Sequence, residues 1–519
     1  MSRRGDRATL LALAIVTVAA ALRVWQLGTV PLGLHNDEAW TGLNAREVLH
    51  DGWIGPYLYP SGLGQPSGPV YWTALLFIVV PQTTFTLRLS MALLGVAAVW
   101  FTYAAVRQMF DDVTGLCAAA LLAVMPWHLH LSRTGFMVGA WPCVEMVILW
   151  VLFRVRAHPS TFGYAGVGLL IGAGVYTYNG YPAFLPVAAT PFVYDIARAH
   201  ARGERRRQLG YAAVTALTAL LVMVPMARYA TTHDEYMWRY RGVSLFSDGR
   251  WRDADWAQRA QVLDARAREW AQGLFAGDRP DNGDGLGDRG HPLLDPLVAV
   301  AAPIGLAMAL RGWRRPACGV LLVAAAVLPL GALVTVGDGL YRRTFGLSPF
   351  LAALAALPLA WLWRRARGWH RLPRVALGGA IALAICIVAA GTVDAYFGSL
   401  QSSQLMRQIY PYQLDAAARA VAALPRDTTT YLFSDRWGAR FETIRWLAPD
   451  AKVVDRSREF RKGAAHDAPL DLDREPGPTA FVLMGTYLEV TDQLRARYPQ
   501  AQVQEEIRNG EILYRIVRP

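Results

Sequence analysis

The sequence predicts an α-helical, polytopic membrane protein that carries a small C-terminal α/β domain. Of the 519 residues, 54% are hydrophobic and only 18% are charged, and the mean hydropathy is +0.22. Soluble proteins of this length do not have so apolar a composition. About 11 to 13 transmembrane helices are expected, because each crossing needs about 20 mainly apolar residues.

Apolar runs recur along the first part of the chain. They lie at 10–22, 89–106, 113–127, 136–153, 162–178, 181–196, 209–229, 297–310, 317–336, 344–363 and 375–393. A shorter run at 71–80 is flanked by proline and is predicted to be re-entrant or interfacial. The first run follows Arg3, Arg4 and Arg7 and is interpreted as a retained signal anchor.

Arginine clusters between these runs predict the orientation. They lie at 154–156, 198–207, 311–315 and 364–374, and the positive-inside rule places such clusters in the cytoplasm. This accounts for the net charge of +12, so nucleic-acid binding is not predicted. Three segments then fall outside: the loops 26–70 and 231–292, and the tail.

The predicted domains are a transmembrane domain at 1–393 and an extracytoplasmic α/β domain at 394–519. In the tail, helical patterns occupy 414–424 and 488–497, and strand-like runs occupy 429–433, 480–484 and 511–517. The tail has no glycine-rich phosphate loop and no nucleophile motif. A lid or cap is therefore favoured over an independent catalytic role.

Two adjacent carboxylates, Asp37 and Glu38, follow the first apolar run. The pattern at 37–50 is typical of an amphipathic helix lying on the membrane, which would hold the acids at headgroup depth. Its apolar face would consist of Ala39, Trp40, Leu43 and Val48. Paired acids at the membrane surface suggest chemistry on a lipid-borne substrate. Alternatively the acids only stabilise the helix N-terminus, which fits Glu38 better than Asp37.

A series of short motifs accompanies the acid pair over roughly the first two thirds of the chain. They are the strings at 35–39, 45–49, 65–72, 87–90, 128–136, 176–179, 291–297 and 341–350. In this order they resemble the protein-mannosyltransferase and aminoarabinose-transferase superfamily, glycosyltransferase family 39-like enzymes of the membrane-embedded GT-C class. An ordered set is far more specific than any one motif.

The resemblance implies a GT-C fold and transfer of a sugar from a polyprenyl-phosphate donor to a glycan, lipid or protein acceptor. The active site would face the extracytoplasmic side of the cytoplasmic membrane. By this resemblance Asp37 is the general base, with inversion at the anomeric carbon. Glu38 either positions the acceptor or orients the base, and His35 of the same motif is predicted to bind substrate.

Arg133, Arg342 and Arg343 are the candidates for binding the lipid phosphate, because they lie near the predicted outer ends of spans. Arg343 is favoured over its neighbour, since it lies within a motif that resembles the family. The alternative for all three is snorkelling towards lipid headgroups. For Arg133 a structural salt bridge is a further alternative.

Tyr176, Tyr178 and Tyr181 are typical of an aromatic belt at the membrane interface. Contact with the sugar or the prenyl chain is the alternative, for which Tyr178 is the candidate. The histidines are not spaced as metal ligands on a helix, so no obligatory metal is predicted. A divalent cation stays open, because some GT-C relatives use one.

Two other functional classes remain as alternatives. A non-catalytic lipid or glycan assembly protein could be built on a GT-C frame and keep the acid pair as surface charge. A secondary transporter is less favoured. Transporters typically show inverted repeats and charges near the midplane, whereas the notable charges here are predicted at one face.

Overall fold

The computed structural model describes residues 3–59, 64–200, 203–277, 285, 291–337, 339–460 and 469–519. Parts of both predicted outer loops, at 60–63 and at 278–284 and 286–290, lie outside the described residues. The chain forms two compact units. The membrane unit comprises Met1–Gly28 and Glu47–Leu405, and the small unit comprises Thr29–Arg46 and Met406–Pro519.

The first eighteen helices lie in the membrane unit, except that α2 begins in the small unit. They are α1 (Arg3–Val24), α2 (Asn36–Asp51), α3 (Gly68–Val79), α4 (Thr84–Met109), α5 (Asp112–Val124), α6 (Pro126–Arg133), α7 (Trp141–Ala157), α8 (Thr161–Gly174), α9 (Leu185–His200), α10 (Arg205–Thr232), α11 (Asp234–Val243), α12 (Gly249–Arg252), α13 (Trp256–Phe275), α14 (Pro296–Arg311), α15 (Pro316–Val327), α16 (Leu330–Leu333), α17 (Ser348–Arg365) and α18 (Arg371–Asp394). A two-stranded antiparallel pair, β1 (Tyr57–Leu58) and β2 (Gln65–Pro66), follows α2.

The protein is a multi-pass membrane protein, as predicted. Among the described residues, seven helical stretches are long and apolar enough to cross a membrane, and an eighth counts if α5 and α6, bent by 61°, form one crossing. The seven are Asp6–Val24, Thr84–Met109, Met137–Ala157, Arg205–Thr232, Pro316–Leu333, Arg342–Arg365 and Arg371–Ser402. Helices α3, α8 and α14 are apolar but shorter, so the expected count of about 11 to 13 would need these as well.

Two contacts show how the membrane helices are fixed against each other. A Cβ atom at Gly305 of α14 would lie 1.9 Å from the carbonyl oxygen of Leu354 in α17, so only glycine permits this approach. At one end of α17, Arg364 pairs with Asp111, the N-cap of α5, with 2.6 Å between Nη1 and Oδ2. Burial alone would raise the pKa of Asp111, but hydrogen bonds from Thr114 and the Arg364 charge lower it.

The small unit is built on a five-stranded sheet of order β4-β3-β5-β7-β6. Its strands are β3 (Thr429–Phe433), β4 (Lys452–Asp455), β5 (Thr479–Leu483), β6 (Gln502–Arg508) and β7 (Glu511–Arg518). Strand β3 is parallel to β4 and β5, whereas β7 is antiparallel to β5 and β6. Every residue of β3 and β5 is buried, as expected for strands covered on both faces.

Four helices accompany this sheet: α19 (Gln404–Ile409), α20 (Tyr412–Ala422), α21 (Glu442–Leu447) and α22 (Val490–Arg497). Side chains alternate between the two faces of each strand. Leu432 joins a core with Leu414 of α20 and Ile444 of α21. Phe433 joins a second core with Leu494 of α22. The sheet therefore has a separate apolar layer on each face.

The predicted α/β class of the tail is confirmed, with its three predicted strands and two predicted helices in place. The prediction missed α19, α21, β4 and β6. The predicted boundary at 393 lies one residue before the end of α18, and the grouping differs in two places. Residues 394–405 stay with the membrane unit, and Thr29–Arg46 joins the small unit.

Candidate active site

The two candidate acids lie in the first turn of α2. His35 precedes this helix, and its Nδ1 accepts a hydrogen bond of 3.0 Å from the backbone N–H of Asp37. The imidazole thus binds an N–H that the helix cannot satisfy itself, and the proton of the neutral ring lies on Nε2. Asp37 is half-buried, whereas Glu38 is fully buried. The accessible carboxylate of the pair is therefore Asp37.

Residues Thr29–Arg46, here called the acid segment, belong to the small unit. The carbonyl of Leu34 accepts a hydrogen bond of 3.1 Å from the hydroxyl of Thr443. Further along, the guanidinium carbon of Arg46 lies 3.7 Å from the ring centroid of Trp446, and Arg46 Nη1 donates to the Trp446 carbonyl at 3.2 Å. Both partners belong to α21, so this helix binds the acid segment at two points.

The amphipathic helix predicted at 37–50 is confirmed as α2, but its predicted contact with the membrane is wrong at the apolar residues that start it. Ala39 and Trp40 are buried within the protein. A Cβ atom at Gly42 would lie only 2.7 Å from the Trp446 ring. The sequence misleads here because an apolar helix face has the same pattern whether lipid or protein covers it.

Arg342 and Arg343 open a 3₁₀ turn, Arg342–Leu347, here called the arginine turn. Arg343 Nη1 donates at 2.8 Å both to the hydroxyl of Thr335 and to the carbonyl of Val336. The guanidinium carbon of Arg342 lies 4.7 Å from the ring centroid of Phe136. Both arginines are half-buried and contact protein, which disfavours snorkelling for them.

Helix α13, within the predicted outer loop 231–292, supports the arginine turn. The guanidinium of Arg266 donates to the carbonyls of Ala332 at 3.0 Å and Leu333 at 3.1 Å, and also to that of Thr335. Trp270 Nε1 donates to the hydroxyl of Thr344 at 3.2 Å. Sequence reasoning missed both residues, since only their places on one face of α13, four residues apart, could have indicated a shared contact.

Arg133, at the end of α6, is fully buried. Its Nη1 donates to the carbonyl of Leu22 at 2.6 Å. Its guanidinium carbon lies 5.4 Å from the ring centroid of Tyr396 and 4.7 Å from that of Phe397. A fully buried guanidinium does not snorkel to headgroups. These contacts with a carbonyl and two aromatic rings therefore disfavour snorkelling for Arg133.

Tyr178 and Tyr181 do not form the predicted aromatic belt. Tyr178 is buried and stacks on Trp141, with 5.5 Å between the ring centroids. Tyr181 is fully buried, and its hydroxyl donates to the carbonyl of Ile171 at 2.8 Å. The belt prediction is wrong for these two, because belt residues face the lipid headgroups.

Tyr178 instead lines a cavity of about 180 Å³ in the membrane unit. Asn179, Met223, Tyr236 and Tyr240 also line it. Tyr57 packs beside this cavity, with its ring centroid 4.8 Å from that of Tyr236. Burial, and then the nearby Tyr236 hydroxyl, raise the pKa of Tyr57, so its phenol stays neutral. Aromatic and thioether walls suit the apolar face of a sugar or an isoprenoid chain.

The predicted site residues thus fall into two groups. His35, Asp37 and Glu38 come together in the small unit, and Arg133, Tyr178, Arg342 and Arg343 lie in the membrane unit. In the stretches of chain that the structure describes, no group of three or more His, Cys, Asp or Glu side chains is placed to hold a metal ion.

Comparison with known sequences identifies relatives over part of the chain. Residues 65–229 match the family model described as dolichyl-phosphate-mannose-protein mannosyltransferase. An undecaprenyl phosphate-alpha-4-amino-4-deoxy-L-arabinose arabinosyl transferase of Pseudomonas aeruginosa (strain LESB58) is 26% identical over 226 residues, covering 41% of this chain and 40% of the relative. A transferase with the same description from Pseudomonas fluorescens (strain Pf0-1) is 26% identical over 215 residues, covering 39% and 36%. The chain therefore matches less than half the length of these relatives.

The fold is similar to solved structures over longer stretches. ArnT from Cupriavidus metallidurans bound to undecaprenyl phosphate has a TM-score of 0.54 at 15% identity, covering 100% of this chain and 98% of that chain. An Archaeoglobus fulgidus oligosaccharyltransferase tethered with an acceptor peptide has a TM-score of 0.52 at 15% identity, covering 85% and 63%. The chain therefore has a GT-C fold, and the matching relatives agree with the order of its sequence motifs.

Proposed function

We propose that the protein transfers a sugar from a polyprenyl-phosphate carrier to an acceptor hydroxyl at the extracytoplasmic face of the cytoplasmic membrane. The accessible carboxylate of Asp37, in the first turn of α2 of a chain with a GT-C fold, is the observation that carries this proposal. The similar structures support it, since one has undecaprenyl phosphate bound and another, an archaeal AglB, has dolichol-phosphate bound.

In the proposed reaction Asp37 is the general base. Its carboxylate takes the proton of the acceptor hydroxyl while the acceptor oxygen forms a bond to the anomeric carbon of the sugar. The bond from that carbon to the phosphate oxygen breaks, and its electron pair leaves with the lipid phosphate. Because attack and departure occur on opposite faces of the sugar, the anomeric configuration inverts.

The residues around Asp37 have supporting roles in this proposal. His35 Nδ1 accepts a hydrogen bond of 3.0 Å from the backbone N–H of Asp37. This bond fixes the backbone position from which the Asp37 side chain extends. Glu38 is fully buried, so orienting the base suits it better than touching a bulky acceptor. Direct contact with the acceptor is therefore assigned to Asp37. His35 and Glu38 act on the substrate only through their effect on Asp37.

We assign the departing phosphate to Arg342 and Arg343. A phosphate that gains charge in the transition state is stabilised most by donors that are already fixed in place. Arg343 is fixed by its hydrogen bonds to Thr335 and Val336, and its planar guanidinium suits phosphate oxygens. Tyr178 is assigned to the sugar or the first isoprene units, through the cavity that it lines.

The proposal is tested in a strain that lacks the gene. Mass spectrometry of lipid-linked sugars and envelope glycans is expected to show one accumulating donor and one missing glycan. The wild-type gene restores the glycan, and Asp37→Asn does not at equal protein level in the membrane. Restoration by Asp37→Asn would overturn the base assignment and favour the non-catalytic assembly protein. A change in transport without any missing glycan would favour the transporter.

A further inference from the structure

We propose that the small unit is the platform that positions Asp37, and that Trp446 is its principal positioning residue. This inference rests on the proposed function, because it takes Asp37 to be the base. It gives the C-terminal part of the chain a role in the chemical step, whereas the sequence favoured only a lid or cap.

The contact between Trp446 and α2 is close and buried. Trp446 is 2% exposed. A methyl group added at Gly42 would lie 2.7, 2.8 and 3.1 Å from three carbons of the six-membered ring of Trp446. Arg46 covers the same ring at 3.7 Å from its centroid. The tryptophan therefore fills the space that the missing side chain of Gly42 leaves open.

Helix geometry separates the bound face from the reactive group. Gly42 and Arg46 are four residues apart, so they share one face of α2, and Glu38 continues that face by another four residues. Asp37 precedes Glu38 by one residue and is rotated from this face by about 100°. Burial agrees with this arrangement, since Glu38 is fully buried and Asp37 is half-buried.

The chain that leads into α2 is held by the same unit. A Cβ atom at Gly33 would lie 2.6 Å from the backbone nitrogen of Tyr412 and 2.7 Å from the carbonyl oxygen of Tyr410. The ring of His35 lies 5.7 Å from the ring of Tyr410, measured between centroids. The acid segment is therefore fixed before the helix by residues 410–412 and along the helix by Trp446.

Such fixing matters because a general base must lie within hydrogen-bond reach of the proton that it removes. A displacement of about 1 Å can cost about 100-fold in rate. For Trp446→Ala in the full-length protein we therefore expect kcat to fall about 100-fold, with a KM change below about threefold. Trp446→Phe keeps a ring against Gly42 and is expected to retain at least about a tenth of wild-type kcat.

The matched control is Leu494→Ala. Leu494 is fully buried in the same unit but belongs to the core on the opposite face of the sheet. The Leu494→Ala substitution is expected to lower the stability of the small unit without affecting a contact of the acid segment. We therefore expect the kcat of the folded variant to lie within about twofold of wild type. Equal losses of kcat in Leu494→Ala and Trp446→Ala would overturn the positioning role.

A double-mutant cycle tests the contact itself. Alanine is a better helix former than glycine, so Gly42→Ala lowers activity only through its clash with the Trp446 ring. We expect Gly42→Ala to lower kcat about tenfold in the wild-type background and to leave it unchanged, within about twofold, in the Trp446→Leu background. Equal effects in both backgrounds would exclude the direct contact.

Amide hydrogen exchange gives a readout that does not need substrate. In Trp446→Ala the amides of residues 36–46 are expected to exchange at least about tenfold faster, while those of α22 keep their protection. Leu494→Ala should show the reverse. Unchanged protection at 36–46 in Trp446→Ala would overturn the platform.

The activity arm uses the lipid-linked donor that accumulates in the deletion strain. If Asp37→Asn is inactive but Trp446→Ala keeps full kcat, the positioning role fails and the proposed function stands. If Asp37→Asn is fully active, the proposed function fails, and the catalytic role of Trp446 fails with it. Loss of activity in both Asp37→Asn and Trp446→Ala, together with faster amide exchange at 36–46 in Trp446→Ala, supports the proposed function and the positioning role.

Discussion

The acid segment and the arginine turn are supported in different ways. The contacts of Arg46 with Trp446 and of Thr443 with Leu34 join residues 400 and 409 positions apart in the chain. The contacts of Arg343 with Thr335 and Val336 join residues only 8 and 7 positions apart. The geometry of the candidate base therefore depends on the distant end of the chain. The hydrogen bonds of Arg343 itself are local, and the contact of Trp270 with Thr344 of the arginine turn spans 74 positions.

This difference predicts different sensitivities. The two hydrogen bonds of Arg343 need only residues close to it in the chain, whereas the contacts of the acid segment are lost when residues about 400 positions away are disturbed. Substitutions of the small-unit residues that contact the acid segment should therefore act on the base and leave the arginine turn unaffected. Substitutions in each of the two regions test this difference.

The largest effect is expected at the acid itself. Asp37→Asn keeps the size of the side chain and removes its ability to take a proton, so kcat should fall about 1,000-fold in a transfer assay with the accumulated donor. Glu47→Gln, at an exposed carboxylate of the same helix, is the matched control and should retain wild-type activity. Wild-type activity in Asp37→Asn would remove the acid segment from the chemistry.

Arg343→Ala should have the next largest effect, a fall in kcat of about 100-fold, because a fixed donor to the departing phosphate is lost. Arg266→Ala is its control, since Arg266 binds carbonyls of the same stretch, those of Ala332 and Leu333. It should lower thermal stability and change kcat less than about tenfold. If the two variants lose activity equally, Arg343 only supports the local structure.

One methyl group can displace either region by a similar amount. In Gly33→Ala the new Cβ would meet the backbone nitrogen of Tyr412 at 2.6 Å, and in Gly331→Ala it would meet the carbonyl oxygen of Arg343 at 2.4 Å. Each variant should lose about tenfold in kcat. Exchange at 36–46 should rise only in Gly33→Ala, and Gly379→Ala, with nothing within 4 Å, should behave as wild type. Faster exchange at 36–46 in Gly331→Ala would contradict the separate support of the two regions.

The smallest effect is expected on the rim of the small unit. Lys452 and Glu475 form an ion pair of 3.2 Å, but both side chains are 61% exposed, so solvent screens the attraction. Lys452→Ala should change the free energy of unfolding by less than about 1 kcal/mol and leave kcat unaltered. If Lys452→Ala lowered kcat as much as Trp446→Ala does, the loss in Trp446→Ala could not be assigned to its contact with α2.

The sequence predicted the parts of this fold that local pattern determines. Strand β3, at Thr429–Phe433, was predicted with its observed bounds because it is a continuous run of strand-forming residues. Helix α21, Glu442–Leu447, has six residues, which is too few for a helical period to be evident. The residue that binds α2 lies in that short helix, so the sequence could not indicate the platform.

The candidate site was predictable to a similar degree. Asp37 is a candidate because adjacent acids are conspicuous after an apolar run, and Arg343 is a candidate because of its motif. Burial was not predictable. Arg133 and Tyr178 are buried within the membrane unit, and no pattern in a single sequence distinguishes a side chain that faces lipid from one that faces a neighbouring helix.

Helix α2 starts in one unit and finishes in the other, and this has a consequence for engineering. Residues 406–519 cannot be exchanged for the tail of a relative without also exchanging residues 29–46, because the two stretches pack together in one compact unit. A chimera that joins them from different parents should assemble poorly, and one that moves both together should keep its activity.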